Sequence, residues 1–209
     1  MAESIGLFDF WNELPRDANI HQQDALFLKP ASGHAFETSH RPPGPWDGPL
    51  MTAKVVICYA NPAYDSEDRH RRELITKQLS GKEELPECWD DWYLPRIRAI
   101  GIPTATLRKV VSVFNVCPYS SVKMNDREVR LASGLPSVWA AQKHLREVLI
   151  PQALSGEIFL VVARKHQLWG VVEGRECETF RLIRNRAGYL AGVGREIGKW
   201  LREKHGIHD

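Results

Sequence analysis

Three asparagines stand where hydrophobic runs end, and amides so placed could read a heterocycle. Asn61 follows Val55-Val56-Ile57-Cys58-Tyr59-Ala60, Asn115 comes late in the run Val110 to Val116, and Asn185 follows a weaker run from Cys177 to Ile183. A further run, Ile158 to Ala163, ends in Arg164-Lys165-His166. An asparagine side chain presents a donor and an acceptor side by side. It also occurs in turns for backbone reasons alone, so each of the three has a structural explanation beside the functional one. Asn61-Pro62-Ala63-Tyr64 leads into Asp65, Glu67 and Asp68. Those carboxylates suit the positive end of a helix, or could serve as metal ligands. Tyr64 could stack on a ligand or cover the turn.

These positions act together only if a fold gathers them. The four apolar runs predict strands at Val55–Tyr59, Val110–Val116, Ile158–Ala163 and Cys177–Ile183. Helices are expected over 67–79, around Trp89, Trp92, Ile97 and Ile100 up to Gly101, over Ser137–Leu154, briefly over Gln167–Val172, and over Gly194–His205. Connections of that length suit parallel strands. The expected architecture is α/β: a three-layer α/β/α sandwich with a central, mainly parallel four-stranded sheet. In such a sheet the carboxyl ends of the strands lie along one edge, where ligands bind. Residues 1–48 read as an N-terminal segment packed on this body, with a short helix carrying Leu7, Phe8, Phe10 and Trp11. The Pro/Gly density from Arg41 to Pro49 blocks helix and central strand, and Trp46 within it is a candidate anchor.

At 209 residues the chain suits one domain with a substantial core. A net charge of +2 lacks the basic excess of a protein that coats nucleic acid. Local basic clusters exist at Arg69, Arg71 and Arg72, and at Arg181, Arg184, Arg186 and Arg195. Cys58, Cys88, Cys117 and Cys177 form no C-x-x-C pair, which argues against a disulfide framework or a zinc site. There is no H-E-x-x-H, no Gly-rich phosphate loop and no G-x-S-x-G, and His205-x-x-His208 sits at the C-terminus. No metal or cofactor is therefore expected. No apolar run is long enough to span a membrane. The opening Met1-Ala2-Glu3-Ser4 lacks a secretory pattern, so a cytoplasmic location is expected.

The stretch Val55 to Tyr64, a hydrophobic strand followed by Asn-Pro, resembles the first motif of the uracil-DNA glycosylase superfamily, G-Q-D-P-Y-H or G-I-N-P-G. Val113-Phe114-Asn115-Val116-Cys117-Pro118 resembles the family's second strand, whose Asn reads the base. Ile183 to Leu190 lies where the second catalytic motif, H-P-S-P or a variant, would follow the last strand. The resemblance covers Pro45 to His205 in element order. It implies hydrolysis of the N-glycosidic bond of a base flipped out of DNA, with DNA or a nucleobase-containing ligand as partner. It implies that Asn61 orients the attacking water, since an amide is no general base at neutral pH. By the same resemblance Asn115 reads the base edge, and Pro62, Ala63 and Tyr64 line the base site. Phe114 would stack there or belong to the core. Asn185 and Arg186 would stabilise the departing base anion, and Arg164, Lys165 and Arg184 would meet the DNA backbone.

Three departures qualify the likeness. Tyr59-Ala60 precede Asn61 where the family has Gly. Ala63 stands where a Tyr excludes a 5-methyl group in part of the family, which leaves more room. Arg184-Asn185-Arg186 stand where the motif His belongs. Two other readings remain: a non-catalytic module that keeps the pocket for a base, nucleotide or nucleic-acid end, and an enzyme acting on free nucleosides.

Overall fold

The structure, a computed structural model, describes residues 6–64, 72–185 and 187–207. The acidic turn at Asp65, Glu67 and Asp68, the cations Arg69, Arg71 and Arg186, and His208 lie outside the described residues. Helices α1 (Leu7–Asn12) and α2 (Gln22–Leu28) precede the short strand β1 (Trp46–Asp47) and then β2 (Val55–Tyr59). Next come α3 (Arg72–Gln78), α4 (Asp90–Ile97) extended by a 3-10 turn over Arg98–Ile100, α5 (Thr104–Val110) and β3 (Val111–Asn115). The helices α6 (Asp126–Ser133), α7 (Pro136–His144) and α8 (Ile150–Leu154) follow, then β4 (Phe159–Val162), β5 (Phe180–Leu182) and α9 (Ala191–His205).

The fold is α/β, with a five-stranded, mostly parallel sheet in the order β1-β3-β2-β4-β5. β2 pairs in parallel with β3 on one side and β4 on the other, and β4 pairs in parallel with β5. The chain leaves β2 toward one side and leaves β4 toward the other, so the loops after these neighbours diverge. That reversal opens a crevice at their carboxyl ends.

Burial follows the two-residue period of the strands. Val56, Cys58 and Ala60 enter one core with Phe114, Leu160 and Val162, beneath residues of α1, α2, α7 and α8. Val55, Ile57 and Tyr59 enter a second core with Val113, Phe159 and Val161, beneath residues of α4, α5 and α9. All five residues of β2 are buried, as in a parallel strand covered on both faces. Each large apolar side chain so buried contributes about 1.5–3 kcal/mol. No described helix is long and apolar enough to cross a membrane.

Several expected elements change. The sheet has five strands where four were expected, because Trp46 and Asp47 pair antiparallel with Phe114 and Val113 inside the Pro/Gly-rich stretch. A two-residue edge strand tolerates that setting, since its outer side needs no ladder. Trp46 is fully buried there and its Nε1–H donates to Gln78 O at 2.5 Å. The irregular segment before it contains α2, held by the buried carboxylate of Asp24, which accepts from Tyr119 Oη (2.7 Å) and Ser137 N (3.0 Å). Helices α5 and α6 had no sequence counterpart. The long helix over 136–154 passes through a π turn at Leu145–Leu149, next to Pro151, which has no N–H to give. The short helix expected over Gln167–Val172 is a succession of turns that starts from Lys165, at φ 54°.

His144 closes α7 with its ring edge-on to Phe8 and Phe114. Burial lowers its pKa from the ordinary 6.5 to about 4. The folded His144 is therefore neutral in a window where the unfolded chain binds a proton, so stability falls as pH drops from 6.5 toward 4. Thermal melts across that range should show a shallower decline for His144→Leu than for the parent, and parallel curves would refute this contribution.

Candidate functional site

The loops after β2 and β3 run side by side. Val116 N donates to Tyr59 O (3.1 Å) and Cys117 N to Ala60 O (2.9 Å), and Ala63 bridges Ser121. Asn61 ties the two loops together. Its Nδ2 donates to Ser121 Oγ (2.9 Å), Pro62 O (3.1 Å) and Tyr119 O (3.3 Å). The carbonyl partners can only accept, which fixes the orientation of the amide. Oδ1 takes no donor among the described residues.

Asn61 stands on a cavity of about 220 Å3 beside the carboxyl ends of β2 and β3. Its walls are aromatic on the side of α4, with Trp89, Trp92 and Tyr93, and Tyr64 also lies on the wall. The polar wall residues are Asp47, Asn61, Asn115 and Arg41. Val113 and Asn115 project from the same face of β3, two residues apart, and both line the space. Asn115 is 3% exposed, with Nδ2 donating to the Gly44 carbonyl at 3.1 Å and its backbone N–H to Pro45 O at 2.7 Å. Pro62 and Ala63 complete the wall, and Arg41 Nη1 donates to Ala63 O at 2.9 Å.

Asp47 is among the wall residues that sequence reasoning missed, together with Arg41, Trp89, Trp92, Tyr93 and Val113. The β1 ladder sets it opposite Val113, and its backbone carbonyl accepts from Ser112 Oγ at 2.9 Å. Tyr93 Oη donates to its Oδ2. Burial above all, then the Asp47 charge and this bond, push the Tyr93 hydroxyl well above its ordinary pKa, so it stays a donor. A carboxylate beside a tryptophan in a stretch of prolines and glycines was the available signal, but only the strand pairing points it inward.

The cavity opens onto a wider groove of about 830 Å3, sharing Asn61, Pro62, Ala63, Tyr64 and Trp92 with it. The groove lies over the β2/β4 crevice. Arg164, Lys165, Arg184 and Lys123 make it basic, with Glu173 as the opposing charge. Arg184 Nη2 lies 3.2 Å from Glu173 Oε2, so its charge is partly balanced.

The expected site residues therefore separate. Asn61, Pro62, Ala63, Tyr64 and Asn115 share the cavity, while Arg164, Lys165 and Arg184 share the groove. Asn185 lies on the groove only. Both ends of its amide close on Tyr189, Nδ2 to the carbonyl (2.7 Å) and Oδ1 from the N–H (3.0 Å). Phe114 as a stacking face is corrected: it is fully buried against Trp46, His144 and Trp169 on the opposite face of the sheet. Strand alternation requires this, since Asn115 faces the cavity and its neighbour must face away. Arg186 lies outside the described residues.

Tyr59 links the last loop to this edge by donating from Oη to Gly188 O at 2.9 Å. Cys58 and Cys117 are buried, and burial raises both thiol pKa values, which keeps them protonated and unreactive. Among the described residues no three of His, Cys, Asp and Glu gather in a way that could hold a metal ion. No protein-family model, curated protein or solved structure matches the chain.

Proposed function

We propose that this chain acts on nucleic acid in the manner of the uracil-DNA glycosylases, taking an extruded base into the cavity and hydrolysing its N-glycosidic bond. One observation carries the reading: Asn61, in the loop after β2, and Asn115, at the end of the adjacent parallel strand β3, share an aromatic-walled cavity that opens into a basic groove. A cavity of about 150 Å3 admits a benzene ring, so about 220 Å3 with an open mouth suits a base. Stacking on aromatic walls stabilises a base by about 1–3 kcal/mol, which offsets its removal from the helix. With its amide hydrogens directed at the loops, Asn61 offers Oδ1 to a water molecule. The water oxygen then bonds to the sugar C1′ as the C–N bond breaks, and the base leaves with the electron pair and takes up a proton.

The test is incubation of the full chain with oligonucleotides carrying a panel of altered bases, followed by alkali to break the strand at abasic sites. Base-dependent breaks are the expected result, and a lack of both breaks and binding would refute the reading. Binding without breaks would favour the non-catalytic module, for which one observation speaks: the Asn185 amide closes on its own loop, and the sequence there reads Arg184-Asn185-Arg186 in place of the motif His. Lys165→Ala should weaken binding to all sequences alike and reduce the slope of log affinity against log salt by about one. Arg184→Ala should change the slope less, because Glu173 already balances part of its charge.

A further inference from the structure

We propose that a hollow at the opposite edge of the sheet, where β2 and β4 begin, is a second binding site that holds an oxyanion on a small apolar body between Lys54 and Lys204. The inference is independent of the base-binding reading above.

The hollow measures about 330 Å3. Lys54 and Ile158 stand immediately before β2 and β4, and both line it, together with Lys204 and His205 from the last turn of α9. Lys54 is fixed through its backbone, whose N–H donates to Val110 O (2.8 Å) and whose carbonyl accepts from Phe159 N (2.8 Å). Val56, Leu149 and Ile158, all buried in the first core, supply an apolar wall. Leu149 arrives there at the end of the π turn, a distortion frequent at functional sites.

Two ammonium groups on one hollow repel each other unless an acid balances them. Lys204 and His205 suit the negative end of α9, but Lys54 comes from another element and answers no helix end there. Among the described residues neither lysine has a carboxylate within ion-pair distance. The nearby acids are engaged. Glu203 lies against Lys199 (3.8 Å), and Glu157, on the wall of the hollow, accepts from Ser155 Oγ (2.8 Å). Both cations act on the ring of His205: burial lowers its pKa below the ordinary 6.5, and the Lys54 and Lys204 charges lower it further. Its Nε2 is buried without a hydrogen-bond partner, so a proton there finds no acceptor. Two cations against one occupied carboxylate leave an excess of positive charge, which a bound anion neutralises. Lysine binds an oxyanion as a point charge with several N–H donors, and the apolar wall favours a ligand with an apolar body.

The full chain is titrated by calorimetry with phenyl phosphate, benzoate and the neutral benzamide at one low ionic strength. Both anions should bind, phenyl phosphate more tightly because it carries the larger charge, and benzamide should bind about tenfold or more weakly than either. Lys54→Met and Lys204→Met, which keep an unbranched apolar stem, should each weaken the anions about tenfold. The His205 ring resonance, identified by its loss in His205→Gln, should titrate at higher pH with phenyl phosphate bound than without it. The charged groups around that ring are Lys54, Lys204 and, across the hollow, Glu157, with Trp200 packed against it. They are the same in both titrations, so the anion accounts for the rise. Failure of both anions to bind, or benzamide binding as tightly as benzoate, would overturn the inference. So would unchanged affinity in both Met variants, or an anion that binds while the His205 titration stays fixed, since the anion would then sit elsewhere, as in the basic groove. Benzoate binding more tightly than phenyl phosphate would keep the site and identify the head it takes as a carboxylate.

Discussion

Asn61→Ala is expected to slow base release about a hundredfold to a thousandfold, in the range found for removal of a group that positions a reactant in the transition state. The side chain does two separable jobs. Oδ1 would hold the attacking water, and Nδ2 ties the loop after β2 to the loop after β3 through Tyr119 O and Ser121 Oγ. Alanine removes both. The loop bonds are each worth about 1 kcal/mol, a modest loss for a fold built on two buried cores. The base itself would still meet Asn115, Asp47 and the aromatic wall, so affinity for an oligonucleotide should change far less than the rate. Single-turnover release measured beside equilibrium binding separates the two effects. Release at the parental rate would remove Asn61 from the mechanism.

Gly198→Ala should destabilise the protein by about 3 kcal/mol or more, although helix propensity alone favours alanine over glycine by about 1 kcal/mol. Helix α9 crosses the Arg98–Ile100 turn at backbone contact. A Cβ on Gly198 would lie 1.9 Å from the Ile100 carbonyl oxygen, and one on Gly194 would lie 2.7 Å from the Ala99 Cβ. The Ile100 carbonyl is backbone and cannot rotate away like a side chain, so α9 itself must shift and loosen Ile197 and Leu201 in the core they share with β2. At about 2–4 °C per kcal/mol for a chain of this size, the melting temperature should fall by about 6–12 °C. A raised or unchanged melting temperature would mean that α9 packs elsewhere.

These two residues show different routes from sequence to structure. Asn61 was legible because its signal is local: a continuous apolar strand ends at Asn-Pro, and the carboxyl end of a parallel strand is where a site forms. The same local logic placed β2, β3, β4 and the closing helix. It missed α2, whose N-cap is His21 in place of the usual Ser, Thr, Asp or Asn. It also passed over α6, although Asn125 caps that helix by accepting from Arg127 N at 2.8 Å. Gly198 gives no local warning, because its importance comes from a turn almost a hundred residues earlier in the chain.

The site divides in the same way. Periodicity alone separates Phe114 from Asn115, since adjacent strand residues face opposite sides of the sheet. Whether the three strand-end asparagines meet is a question of distance between loops, and the loops answer it differently. Those after β2 and β3 are bridged by hydrogen bonds and bring Asn61 and Asn115 onto one wall, while the loop after β5 turns Asn185 back on itself.

By itself the sequence determined the alternating strands, the mostly parallel order and the polar strand ends, because these follow from short-range patterns of apolar residues and turns. The tertiary structure alone decided that Asp47 faces the cavity, that Tyr93 holds it there and that α9 needs glycine at its crossing. Each of those depends on pairing between segments far apart in the chain, and no local pattern encodes which backbone will arrive opposite.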